Sequence, residues 1–484
     1  MKQKSLLKNT FYYLVYNILN LLFPLISGIY AARVLSPQSI GEVGYSQNIV
    51  QYFVILSFLG IPTYGVREIA NIRENKKELN RVYSELFFIN FLSTIFFLTI
   101  YFILILNIDI LRENLKLYLI MGILLFFNIF NINWLYEGLE EFKFISLRNI
   151  VFKILSLILL ILFVRKDSDY LKFALITIIG TLGNYLINII YSKKYVTLIF
   201  KDLSFKRHIK SILYLVTVNI AIEVYTLVDV SMLGFFCAKE VVAYYIYGNR
   251  IYKVLLQIMN TFTMVVVPRL SWLYIEKKFN DFNSMLSKTV KLILILGIPM
   301  IIGIQYTTND IVVLIYGEKY MATANIIKLM SILLVLTPLG YLLGSRILLI
   351  TKNENKMILA VFMGAVSNTI GNFILIRYYS EMGAALSTTI SEIIVTIIYI
   401  YLGRKYYKIN LELKELIKIL IANLSLYIFL ILTKNIEGIK IIKIIIQIFG
   451  GTVTYFFTLI FLKEKLVYEK YIEKRCLKLW KGKN

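Results

Sequence analysis

Residues 211–236, SILYLVTVNIAIEVYTLVDVSMLGFF, are apolar along almost their whole length and carry two carboxylates near the middle, Glu223 and Asp229. A run of this length crosses the roughly 30 Å of hydrocarbon in a bilayer as a single helix. An ionised carboxylate at that depth costs at least about 2.5 kcal/mol, so such groups face a protein interior or a wet cavity and mark function. The stretch therefore predicts a membrane-spanning helix inside a bundle, with its acids turned toward other protein groups.

The rest of the chain repeats the pattern. Of its 484 residues 58% are hydrophobic and only 17% charged, with a mean hydropathy of +0.72, outside the range of soluble domains. The apolar blocks are about 20 residues long rather than alternating ten-residue strands, which favours helices over a β-barrel. Spans are predicted at about 11–33, 41–66, 84–106, 116–137, 147–165, 170–192, 211–236, 241–268, 288–308, 323–350, 357–377, 381–403, 415–433 and 440–462, some fourteen in all. The basic N-terminus runs on past signal-peptide length without a small-x-small cleavage site, so it is read as a retained first helix.

Several function classes are disfavoured at once. Two cysteines, Cys237 and Cys476, and one histidine, His208, argue against a dense metal or disulfide framework. There is no G-x-x-x-x-G-K-[ST] loop and no long soluble segment for a nucleotide-binding domain. The formal charge of +24 suggests a nucleic-acid partner until the lysines are located. Lys and Arg favour the tails and even-to-odd loops over the other connectors by roughly three to one, which puts both termini in the cytoplasm and makes anionic membrane lipids the partner of this charge. The outer connectors are short, leaving no platform for the acid, base or metal ligands of a membrane glycosyltransferase or polymerase.

Six spans, a basic connector at 193–210, six more spans and a final pair suggest duplication. The predicted divisions are an N-terminal lobe at 1–192, a C-terminal lobe at 211–403, an extra helix pair at 404–462 and a basic cytoplasmic tail at 463–484. GEVGYSQNIVQYFVIL (41–56) and VVAYYIYGNRIYKVLL (241–256) open the second and eighth spans with a similar progression. An even number of spans per half relates the halves by an axis along the membrane normal.

Five segments, ISGIYAARVLSPQSIGEVGYSQNIVQYFVILSFLGIPTYGVREIA (26–70), NWLYEGLEEF (133–142), VDVSMLGFFCAKEVVAYYIYGNRI (228–251), MVVVPRLS (264–271) and GAVSNTIGNFILIRYYSEMGAALSTTISE (364–392), resemble the polysaccharide (O-antigen-type) flippases of the multidrug/oligosaccharidyl-lipid/polysaccharide exporter superfamily. The most specific elements are Asp-x-x-x-Leu-Gly at 229–234, then Asn-x-x-x-Asn and Gly-Ala-Ala within 368–385. Ala243 and Cys237 depart from the family's usual small residues. The resemblance implies an all-α polytopic membrane protein, with two six-helix lobes around a central cavity plus two C-terminal helices. It also implies translocation of a polyprenyl-diphosphate-linked oligosaccharide by alternating access in the bacterial cytoplasmic (inner) membrane, alongside a polysaccharide polymerase and glycosyltransferases. It implies no cofactor. A cation-coupled multidrug exporter of the same superfamily is the rival, and it would need an acid-dominated cavity.

Residues that can carry this chemistry are few. Across the hairpin of the seventh and eighth spans, Asp229 falls at the level of Arg250 and Glu223 at the level of Lys253. Two readings stay open: a structural buried ion-pair network, or cavity-facing cations that bind the substrate diphosphate while Glu223 and Asp229 tune them. A guanidinium suits the second, since its planar fork grips phosphate oxygens bidentately. Arg33, Arg67 and Arg346 extend the set as a ladder of cations, although Arg67 and Arg346 are also placed to snorkel to the inner headgroups. Glu392 in the twelfth span is either a coupling site for Na+ or H+ or a helix–helix hydrogen-bonding group.

Overall fold

A 50-residue α-helix would be about 75 Å long, more than twice the hydrocarbon thickness, so the apolar run at 354–403 has to turn back on itself. It does so at Ser380, whose φ of 49° and ψ of −126° interrupt the Glu354–Gly403 helix. The structure, a computed structural model, describes the backbone of residues 6–436 and 439–468, and within it the side chains except those of 6–8, 10, 13 and 214–225. The expectations for the Glu223 side chain and most of the 463–484 tail lie outside the described residues.

Every regular element among the described residues is a helix. The helices used below are α1 (Leu6–Val34), α2 (Pro37–Phe58), α3 (Ile61–Ile72), α4 (Lys76–Asn107), α5 (Leu115–Phe127), α6 (Phe142–Phe163), α7 (Tyr170–Ser192), α8 (Lys206–Phe236), α9 (Lys239–Ile275), α10 (Phe279–Ile315), α11 (Ala322–Met330), α12 (Leu333–Gly340), α13 (Glu354–Gly403), α14 (Leu413–Leu432) and α15 (Gly451–Phe461). Among the described residues twelve helical segments are long and apolar enough to cross a membrane. Counting α13 as two passes and adding α8 gives the expected fourteen.

Two boundaries differ from expectation for physical reasons. The span predicted at 41–66 starts at Pro37 and breaks at Leu59 and Gly60, both left-handed with φ of 49° and 74°. Pro62 then occupies the first turn of α3, where a missing N–H costs nothing. Helices α4, α9 and α10 run up to three turns beyond their apolar stretches, because hydropathy detects only the part in hydrocarbon while Lys, Glu and Asn continue the helix into water.

The chain forms two compact units, Met1–Ile246 and Tyr247–Asn484. In the first, α6 packs on α1 and α7, and α2 packs on α4, α5 and α8. Lipid-like surroundings give no hydrophobic drive between helices, so close approach of small residues matters. Gly41 of α2 shows this: a Cβ there would lie 1.6 Å from the Lys239 carbonyl oxygen. In the second unit α10 packs on α11, α12 and α14, and α14 packs on α15. Val453, Phe457 and Phe461 on α15 are all more than 60% exposed, a face that suits acyl chains.

The same backbone clamp occurs in each unit. On α4, Asn80 Oδ1 and Ser84 Oγ accept the amide N–H groups of Thr197 and Ile199 at 3.0 and 2.9 Å. On α10, Asn283 Oδ1 and Ser287 Oγ accept those of Lys408 and Asn410 at 2.9 and 3.0 Å. An Asn-x-x-x-Ser pair one helical turn apart thus meets alternate amides of an extended strap, YVTLIF (195–200) in one unit and YYKINL (406–411) in the other. Burial, with Glu141 beside it, pushes the Tyr195 hydroxyl above its usual range, and it donates to Glu141 Oε1 at 2.5 Å.

Candidate substrate-binding site

In the first unit the polar interior centres on α6. Arg148 is 6% exposed. Its guanidinium donates to Asn184 Oδ1 and Asn133 Oδ1, both at 2.9 Å, and to Asn188 Oδ1. It also lies over the Phe144 ring, 5.1 Å from the centroid. Three amide oxygens solvate the cation, and no carboxylate pairs with it among the described residues. Further along α6, Lys153 Nζ donates to the Leu19 carbonyl at 3.2 Å and stands 4.9 Å from the Phe23 centroid. Between them Asn149 Nδ2 donates to Asn20 Oδ1 at 3.0 Å. Sequence reasoning missed Arg148 and Lys153. The available signal was two cations inside LRNIVFKILSLILLILF (147–163), with asparagines recurring in the neighbouring spans.

Asp229 is buried in the same unit and accepts a hydrogen bond from the Tyr245 hydroxyl. Two residues on, Ser231 joins α8 to α2. Asn48 Nδ2 donates to Ser231 Oγ at 2.7 Å and to the Leu227 carbonyl at 3.1 Å, while Ser231 Oγ donates to Tyr52 Oη at 3.0 Å. Arg33 is exposed near the end of α1. Arg67 is exposed, pairs with Glu68 at 3.2 Å and lies 5.3 Å from the Tyr64 centroid.

In the second unit Arg250 lies 5.4 Å from the centroid of Tyr247, which is stacked on Tyr316 at 4.4 Å and 8°. An aromatic face offers a cation electrostatic support without neutralising it. Lys253, one turn on, is exposed. Glu392 of α13 has a partner that the sequence did not reveal: Thr337 Oγ1 of α12 donates to its Oε2 at 3.2 Å. Arg346 ends a π-helical stretch, Tyr341–Arg346, and its Nε is buried without a hydrogen-bond partner among the described residues.

Residues 6–273 match the family described as "Polysaccharide biosynthesis protein". The chain belongs to that family. A putative O-antigen transporter of Shigella dysenteriae is 23% identical over 384 residues, covering 78% of this chain and 95% of the relative. Among solved structures, the lipid II flippase MurJ in an inward closed conformation superposes with a TM-score of 0.74 at 18% identity, covering 95% of this chain and all of that one. An inward-facing multidrug resistance MATE transporter of the MOP superfamily gives 0.64 at 16%, covering 79% and 93%. At such identities the likeness establishes the fold alone: an all-helical, multi-pass membrane protein with the helical architecture that these two solved structures share.

The family match ends near the C-terminus of α9, so Arg33, Arg67, Arg148, Lys153, Asp229, Arg250 and Lys253 belong to the part shared with polysaccharide biosynthesis proteins. Arg346 and Glu392 lie beyond it. Of the shared residues Arg148, Lys153 and Arg250 are buried or half-buried cations and Asp229 is a buried acid, while Glu85 and Asp169, also within 6–273, are buried acids as well.

Proposed function

We propose that this protein translocates a polyprenyl-diphosphate-linked oligosaccharide across a bacterial cytoplasmic membrane by alternating access, for surface polysaccharide assembly. One observation carries the choice of cargo: among the described residues Arg148 is buried and held by neutral amides and an aromatic ring, with no carboxylate paired to it. A guanidinium keeps its proton in such a setting, so the surroundings of Arg148 carry a positive charge that an anionic diphosphate would neutralise. A cationic drug would be repelled, which disfavours the multidrug-exporter reading. On this proposal the N-terminal lobe is 1–192 and the C-terminal lobe 211–403, with both termini cytoplasmic. Arg250 supplies a phosphate ligand in the second unit, Asp229 is a charge-tuning group in the first, and Lys253, Arg33, Arg67 and Arg346 form the approaches. The Thr337–Glu392 pair is the place for H+ or Na+ coupling. A polymerase and glycosyltransferases act on either side of the step.

Depletion of the protein tests the cargo. A lipid-linked glycan should accumulate on the inner leaflet, and Arg250→Ala at normal protein level should reproduce the accumulation. Depletion without accumulation would remove the proposal. Accumulation on depletion with full activity of Arg250→Ala would remove only the assignment of Arg250.

A further inference from the structure

The two clamps have the same scaffold and opposite chemistry one residue further along. After Ser84 comes Glu85, which is fully buried and closes the first clamp. Its Oε1 accepts from the Ser204 amide at 2.5 Å, and its Oε2 from Arg207 Nε at 2.9 Å and from His208 Nε2 at 2.7 Å. After Ser287 comes Lys288, which is exposed. In place of a closed cluster the second unit holds a cavity of about 650 Å3, lined among others by Asn280, Ser284, Lys288, Lys408 and Leu416. The remaining charges around it are already engaged. Lys291 pairs with Glu415 at 2.9 Å and with Glu464, and Lys465 Nζ pairs with Glu412 at 3.0 Å. Lys288 and Lys408 make no ion pair among the described residues, so the cavity presents two uncommitted cations beside neutral amide and hydroxyl donors.

We propose that this cavity binds the phosphate headgroup of a membrane lipid. Three features fit that ligand. The cavity is bordered by the first turns of α10 and α14 and the residues just after α15, where helix ends meet the headgroup layer. Lys–phosphate contacts supply charge, and Ser284 and Asn280 supply hydrogen bonds. Leu411, Leu416 and Leu466 line it for the glycerol or isoprene portion below the phosphate. Basic pockets between helices on the cytoplasmic side are the usual form of such sites. The inference uses the orientation given under the proposed function but not its cargo. The phosphate comes either from a resident anionic phospholipid or from the polyprenyl diphosphate, and both share this chemistry.

Native mass spectrometry of the full chain, released from nanodiscs of phosphatidylglycerol and phosphatidylcholine with or without undecaprenyl diphosphate, separates the sources. Lys288→Gln with Lys408→Gln removes both cations and leaves Asn283 and Ser287 to hold the strap. Retained phosphatidylglycerol should fall about 30-fold, on the scale expected for two basic residues at an anionic headgroup. The control Lys77→Gln with Lys193→Gln, which removes the same charge from the first unit, should bind as wild type. Ser284→Trp, which fills the cavity and keeps both lysines, should lose the lipid as well. Loss of undecaprenyl diphosphate with phosphatidylglycerol unchanged would assign the site to the substrate lipid. Equal retention of both lipids by wild type and variants, or equal losses in the control, would overturn the proposal.

Discussion

Removing the Glu85 carboxylate should be among the most destabilising single changes in the first unit. The group is fully buried and holds the strap, α4 and the start of α8 together. It takes the Ser204 amide, two guanidinium contacts from Arg207 at 2.9 and 2.5 Å, the His208 ring at 2.7 Å and Arg81 Nε at 3.3 Å. Loss of one partner of a buried pair costs about 3–5 kcal/mol. Arg207 is a third exposed and keeps a contact to Glu78, so solvent screens part of its loss. His208 cannot escape in the same way: it is 2% exposed and held on its other side by the Tyr64 hydroxyl at 2.7 Å. Glu85→Ala should therefore cost about 3 kcal/mol, near the lower limit, and Glu85→Gln, which keeps an acceptor for the Ser204 amide but turns an NH2 donor toward Arg207 and the His208 ring, should cost less than that while still destabilising. Unfolding of the purified protein in mixed micelles of increasing SDS fraction gives the number. Trp134 is the reporter, since it is buried in the same cluster as Tyr64 and Ile212. In a double-mutant cycle, Glu85→Ala and Arg207→Ala should couple by more than about 1 kcal/mol. A loss below about 1 kcal/mol for Glu85→Ala, or strict additivity in the cycle, would refute the reading of Glu85 as the closure of the clamp.

Arg148→Leu should cost about 1–3 kcal/mol, because it strands the Asn184 and Asn188 amide oxygens while Asn133 Oδ1 keeps the Asn188 Nδ2 donor, and should abolish glycan export. Arg148→Lys should restore most of the stability but little of the export, since one ammonium cannot span three acceptors in the guanidinium plane; normal export from the Leu variant would exclude Arg148 from the cargo path. Gly41→Ala places a methyl on the Lys239 carbonyl, so α2 has to move away from the start of α9. Maleimide labelling of Cys237, in a Cys476→Ser background, should accelerate, and an unchanged rate would show that the contact yields without opening. Reporters fused after residues 70, 205, 280 and 410 should be cytoplasmic and those after 238 and 312 external, and an external signal at 205 would contradict the orientation read from the charge bias.

What the sequence determined by itself is the membrane character, the helical class, the number of passes and the family. Each of these depends on signals written over many residues: blocks of apolar side chains of bilayer length, lysines biased to alternate connectors, and ordered motifs such as the one at 229–234. It also singled out Asp229, Arg250 and Glu392, because an ionisable group in an apolar run is conspicuous without any coordinates. What only the tertiary structure decided is which polar groups meet. Asn133, Asn184 and Asn188 come from two separate segments of sequence and become one solvation shell for Arg148 only when α6 and α7 pack. Thr337 finds Glu392 across two helices. The repeated Asn-x-x-x-Ser clamp is only two residues wide in each copy, too little to stand out in the sequence, and its meaning lies in backbone amides that have no identity there at all. For the same reason Glu85 and Lys288 read as ordinary charges at span ends, until the fold buries one among four donor residues and leaves the other facing a cavity.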